Sequence, residues 1–495
     1  MPGKWSYFRI VRYHASSEMV SRATTRETMA SGYLEGPPMR PAATFMLLAV
    51  ILIAYPTTEK SQQGSEISVA TYDENPAHIW NRLYSALRVR EDPQGKVYGE
   101  DSLDPMLWPR SQHLLSQPSH GIALRVLDEF LRTHAENLTK DVLKRAMLQR
   151  DLWAVFDWSV QQLQWTGTPE YNNEKRELQS RLAELLSRLA LTPEQIKALP
   201  DNYVQAVASG AFSAQYDKTH PQQPFLPPDL FDPRGPWVCI AVSPEFMEYG
   251  GVAKSHVVGV SGRSVFLVFV QLPQGRKATL DYFRTLWDFP QPWAPDTPIA
   301  DDASVTNPDL PSFPAGTKMA LVRQMVLFDN QGKLVMSPIT ESVQIRVCRE
   351  ITHARARDFT GGFATMGLNS GQEFFEIRIS RPLLFSGKQG GLRPTAYDEK
   401  EPPTFLTQGF DGIDGRPGQS SRSFGAVMQR CLECHSGGGI SSFNSLDSLL
   451  KPSRRQADSQ DDTYGPRYWN QSAALWWKEH RDDWGLLNGY WKKGL

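Results

Sequence analysis

The run Cys431-Leu432-Glu433-Cys434-His435, followed at once by Ser436-Gly437-Gly438-Gly439, constrains this chain more than any other stretch. Two thiols spaced by one helical turn present two sulfurs side by side, and an imidazole follows directly. The glycines remove side chains where backbone has to lie close to a bulky group. Three chemistries use such a pair. A zinc site needs a second Cys or His pair, yet the remaining cysteines, Cys239 and Cys348, stand alone in strand-like runs far upstream. A thioredoxin-like dithiol needs a βαβ context that this region lacks. Covalent haem attachment needs only what is present. Two thiols add across the two vinyl groups of one haem edge, and the adjacent histidine sits under the iron.

Residues 423–445 accordingly resemble the attachment segment of c-type cytochromes, on Cys431, Cys434 and His435. The resemblance extends to no other part of the chain. It implies one covalent haem c per chain, thioether-linked to Cys431 and Cys434. It also implies His435 as the proximal iron ligand, and electron transfer with a redox partner as the function. In one respect this chain departs from that family. Single-haem members commonly place a distal methionine several tens of residues after the motif, and here no Met follows Met428. Three expectations are open for the sixth iron position: His480, an upstream methionine such as Met366, or no protein ligand.

His480 enters through a pattern. Ala473, Trp477, His480, Trp484, Leu487 and Trp491 follow one another at spacings of 4, 3, 4, 3 and 4, which draws one stripe along a helix. Those tryptophans would cover an apolar porphyrin face, although a packed histidine with a satisfied ring explains the pattern as well. An open sixth position would instead make a peroxidase-like haem enzyme. A third reading makes the strand-rich region a partner-binding surface, with the haem secondary.

The chain also carries an export-like signal. Ala42 to Tyr55 is a continuous apolar run, AATFMLLAVILIAY. Its length suits the apolar part of a signal peptide better than a membrane span of about twenty residues. Residues 1–60 are therefore expected to be an extension carrying a signal peptide or a single anchor. The protein would then be periplasmic, or membrane-anchored and facing the periplasm. Covalent haem attachment in bacteria takes place outside the cytoplasmic membrane, so the two signals agree. That compartment permits a Cys239–Cys348 disulfide, while two buried thiols without a bridge fit the sequence equally. A net charge of -1 and a pI near 6.8 leave no electrostatic footprint for nucleic acid.

The remainder divides by periodicity into a multidomain α+β chain. Residues 70–215 repeat apolar positions at helical spacing, as in His120–His134 and again from Leu143 to Val160. Thr192-Pro193-Glu194-Gln195 is a helix start with a capping box. After the proline-rich His220–Pro236, residues 236–385 carry strand-like runs rich in Val, Ile and Phe, alternating with period two at Ser342–Arg349 and Phe374–Ser380, which predicts an antiparallel β sandwich or barrel with one helix near Lys277–Trp287. His256–Val260 reads as strand-like, and Asp329-Asn330-Gln331-Gly332 as a hairpin turn. Residues 420–495 are left for a small, mainly helical haem module.

Overall fold

The computed structural model describes residues 68–91, 97–101, 103–104, 113–166, 171–241, 252–295, 304–307, 309–349, 372–396, 399, 435, 439–442 and 466–493. The apolar run 42–55, Met366, Cys431 and Cys434 lie outside these residues. Residues Gln62–Leu495 form one compact unit.

Helical periodicity in the first half produces α1 (Ile79–Arg88), α2 (Ser119–Arg132), α3 (Val142–Thr166), α4 (Asn172–Leu189), α5 (Pro193–Lys197) and α6 (Asn202–Ala208). α5 starts where the sequence says it should. Thr192 Oγ1 accepts from Gln195 N–H at 3.2 Å, and Gln195 Oε1 accepts from Thr192 N–H at 2.9 Å. α3 is buried around most of its circumference, with Met147, Leu148, Trp153, Val155 and Phe156 all enclosed. Its polar residues Gln149, Arg150, Asp151 and Asp157 are enclosed with them, so each needs a partner.

Asp151 pairs with Arg88 and Arg381 and Asp157 with Arg263 and Lys478, while Gln149 and Arg150 reach Phe328 and Glu341 on a six-stranded antiparallel sheet. Two small ribbons lie outside it, β1 (Arg90–Glu91) with β2 (Val97–Tyr98), and β5 (Trp293–Pro295) with β6 (Ser304–Thr306). The sheet itself holds β3 (Val238–Cys239), β4 (Ser264–Gln271), β7 (Lys318–Phe328), β8 (Leu334–Cys348), β9 (Gln372–Ile379) and β10 (Leu392–Pro394). Their order is β10-β9-β8-β7-β4-β3. The expected sandwich or barrel is therefore a single open sheet among the described residues. The hairpin at Asp329–Gly332 joins β7 to β8, and the two short runs on either side of Pro338 are one long strand. Pro338 is tolerated because β9 pairs β8 only from Ser342 onward, and a register shift in β7 faces it.

Alternation gives the sheet two faces. Val265, Leu267, Phe269, Val322, Ile345 and Ile377 point inward and share one hydrophobic core with α1–α4. Phe266, Val268, Val270, Met319 and Cys348 belong to a second core on the outer face. There they meet α7 (Lys254–Gly259), α8 (Arg276–Trp287) and part of α10 (Pro466–Glu479). α11 (Asp482–Lys492) follows and sends Trp484 and Leu487 into the inner core. Between β9 and β10 lies the short helix α9 (Arg381–Phe385).

A Cys239–Cys348 disulfide is ruled out by this layout. The two thiols form no bridge. Cys348 belongs to the outer-face core and Cys239 packs against the inner one. Their strands, β8 and β3, are separated by β7 and β4, roughly 14 Å at the usual strand spacing and twice the reach of a disulfide.

Candidate functional site

His435, which closes the Cys-x-x-Cys-His run, is held against the outer face of the sheet. Gln372, the first residue of β9, donates from Nε2 to the carbonyl oxygen of His435. Four residues on, a short 3-10 turn (Gly439–Ser442) buries Ile440 in the outer-face core. Its N–H reaches Ser312 Oγ at 3.4 Å. The backbone is thus fixed on both sides of Ser436-Gly437-Gly438.

Across from His435 stands His256. The two imidazole centres are 6.3 Å apart and their planes differ by only 9°. Both rings are half-buried. His256 also lies 5.3 Å from the ring of Phe266 on β4, with Val257 and Val260 buried beside it. Burial, reinforced by the Arg323 and Arg346 guanidiniums, pulls the His256 imidazolium down to about 4. The ring is therefore neutral near neutral pH, the form in which imidazole binds a metal.

Local sequence explains how α7 delivers this ring. The helix ends in a Schellman turn: Gly262 N–H bonds Val257 O at 3.0 Å, and Ser261 N–H bonds Val258 O at 3.0 Å. Ser261 (φ 53) and Gly262 (φ 71) are both left-handed, which reverses the chain into β4. A Cβ on Gly262 would come within 3.0 Å of the Trp477 indole, so the position demands glycine twice over.

The next residue, Arg263, locks the turn into a buried ionic network. It bonds Asp157 at 2.8 Å and Asp104 at 3.3 Å. Arg150 takes Asp104 through two bonds of 2.9 Å and Glu341 at 2.6 Å. Arg323 closes the loop, 2.6 Å from Asp104 and 2.7 Å from Glu341, while its guanidinium lies 5.7 Å from the Phe266 ring centre. Burial pushes the Asp104 carboxyl up, but the guanidiniums of Arg150, Arg323 and Arg263 outweigh it and hold it well below the ordinary value. Glu341 is lowered in the same way, Arg150 and Arg323 outweighing its burial. The Arg323 that borders His256 is thus immobilised from behind.

His480 is elsewhere. Its ring is exposed, stacked on Trp476 with centres 4.1 Å apart, and its Nδ1 bonds the Trp476 carbonyl oxygen of its own helix at 2.7 Å. The expected single stripe falls on two helices, because α10 ends at Glu479 and α11 begins at Asp482. Among the described residues, the imidazole that faces His435 belongs to His256. Nothing local in the sequence marks it: it is one of ten histidines, in a run that reads as a strand. The only pointer is indirect, the lack of a methionine after Met428.

No protein-family model matches the chain, and no curated protein or solved structure is detectably similar to it.

Proposed function

We propose that this chain is an exported c-type cytochrome-like protein that binds one covalent haem and transfers electrons. Cys431 and Cys434 would hold the haem through thioethers, and His435 would be the proximal ligand. The observation that carries this is the position of His435. The motif histidine is fixed against an apolar sheet face, with a second imidazole parallel to it and ring centres 6.3 Å apart. Phe266, Val257 and Ile440 supply the apolar surroundings that such a ring requires.

When bound, haem supplies one-electron chemistry through its iron. The chain's own contribution is rigidity. Gln372 and Ile440 fix the backbone around His435, and the network behind Arg323 and Arg263 fixes the wall opposite. A packed site of this kind changes oxidation state with little rearrangement, which favours electron transfer over ligand chemistry. Export accords with the apolar run 42–55 and with the compartment in which haem is attached covalently.

The test is a haem stain on a denaturing gel of protein made with cytochrome c maturation machinery, with cell fractionation alongside. Wild type should stain, in the periplasmic or membrane fraction, and take up one electron per chain in a potentiometric titration. The Cys431→Ser/Cys434→Ser double variant should not stain. Wild type that never acquires haem, a double variant that keeps it through denaturation, or folded holoprotein in the cytoplasm would contradict the proposal.

A further inference from the structure

We infer that His256 is the sixth-position ligand, so that the iron is held between His256 and His435 as a bis-histidine centre. This rests on the covalent haem proposed above and identifies a residue which that proposal does not need.

Three observations converge on it. The first is distance. Two iron–nitrogen bonds of about 2 Å, with about 1.1 Å more from each ligating nitrogen to its ring centre, span about 6.2 Å. The observed separation is 6.3 Å. Direct stacking of two imidazoles would bring the centres much closer, as it does for Trp476 and His480 at 4.1 Å. The separation matches the span of two imidazoles bonded to one metal ion.

The second is orientation. The ring planes differ by 9°, so the two axial imidazoles would be aligned with one another rather than crossed. The third is the way His256 is held. It sits on a helix whose C-terminal turn uses two left-handed residues and is pinned by Arg263 to Asp157 on α3. Its flank is closed by Phe266. Such fixing suits a ligand that must meet a metal within a few tenths of an ångström. The competing histidine, His480, stacks on Trp476 at the exposed end of α10. A nearby sulfur, that of Met319, is already 3.5 Å from Arg346 Nη2.

The consequence is chemical. With both axial positions filled by imidazole, no site remains for peroxide, oxygen or carbon monoxide to bind, and the centre is confined to electron transfer. Ligation by two histidines also sets the potential below that of a His/Met centre, because thioether ligation raises it.

The experiment is spectroscopy of the haem-loaded full chain. Oxidised wild type should be low-spin, and its frozen-solution electron paramagnetic resonance should be rhombic, the signature of near-parallel axial planes. Reduced wild type should show no carbon monoxide shift. His256→Gly should keep its covalent haem on a denaturing gel but become high-spin and bind carbon monoxide, and added imidazole should restore the low-spin spectrum. His480→Ala should match wild type. A wild type that stains for haem yet is high-spin, or a His256→Gly protein spectrally identical to wild type, overturns the assignment and leaves covalent attachment standing. Absence of stain in wild type overturns attachment itself. Should His256→Gly fail to fold, near-infrared magnetic circular dichroism of wild type decides, since it separates nitrogen–nitrogen from nitrogen–sulfur ligation.

Discussion

At the scale of single residues, the contrast between His256 and His480 shows what spacing can and cannot reveal. His435 stands out in the sequence because it directly follows two cysteines. His480 looks attractive because it falls in register with tryptophans, yet register records burial and says nothing of metal. Its stripe does bury Ala473, Trp484 and Leu487, while the histidine itself ends exposed. His256 becomes visible only when the chain is folded, since sheet pairing sets what lies opposite what. The proposed ligation gives a prediction at this scale. His256→Met should raise the midpoint potential, because a thioether would replace an imidazole. Potentiometric titration of holoprotein should find the variant above wild type, and an unchanged potential would mean that residue 256 does not touch the iron.

Among the elements, the alternating strands were the most legible part. The alternating runs Ser342–Arg349 and Phe374–Ser380 fall largely in β8 and β9, the apolar run at Ser264 forms β4, and the Asp329–Gly332 turn joins the strands that the sequence says it joins. Two elements went against their patterns for identifiable reasons. His256–Val260 is β-branched and looks like a strand, but it lies in α7, where Val257 and Val260 share one buried face. Packing there overrides propensity. The C-terminal stripe breaks between α10 and α11 because Asp482 and Asp483 favour a fresh helix N-terminus. Lys478 stabilises the break, bonding Asp483 at 2.7 Å and Asp157 at 2.6 Å while wholly buried. Gly262 is the position on which α7 depends most. Gly262→Ala should cost about 1–3 kcal/mol, from its left-handed backbone and its contact with Trp477. The variant's urea midpoint should fall by that amount, and its low-spin fraction should fall with it. A midpoint within error of wild type would show that the turn relaxes freely.

At the scale of the molecule, the sequence shows composition changes but not how the pieces share a core. His220–Pro236 reads as an extended linker, yet Phe225, Leu226 and Leu230 are buried in the inner core. Proline set its backbone without setting its exposure. The ionic network was equally invisible, since Asp104, Arg150, Arg263, Arg323 and Glu341 are scattered through the chain and meet only in three dimensions. It has a pH signature. Asp104 and Glu341 are both held below their ordinary values, so they bind protons more readily unfolded than folded. Their contribution is complete above an unfolded value of about 4 and is lost as pH falls below it. Asp157, pushed up by burial and by Asp483, works in the opposite direction, one carboxylate against two. Urea midpoints should therefore be level from about pH 7 to 5 and decline below about 4. Asp104→Asn should lose about 3–5 kcal/mol at neutral pH, leaving three guanidiniums under-neutralised, and should decline less on acidification. A variant that parallels wild type across the whole range would exclude Asp104 from the acid response.

The facing pair of imidazoles also has a topological meaning. The residues are 256 and 435, 179 positions apart along the chain, with every strand from β4 to β10 between them. Thioethers to Cys431 and Cys434 would be made locally and would need no fold. Coordination by His256, in contrast, would close a loop around nearly the whole sheet. A link of that span restricts the unfolded chain by about 5 kcal/mol in the chain-entropy model. The iron would then act as a removable staple, its colour reporting whether strands far from it are in place. Unfolding followed by the Soret band and by far-ultraviolet circular dichroism would trace one curve.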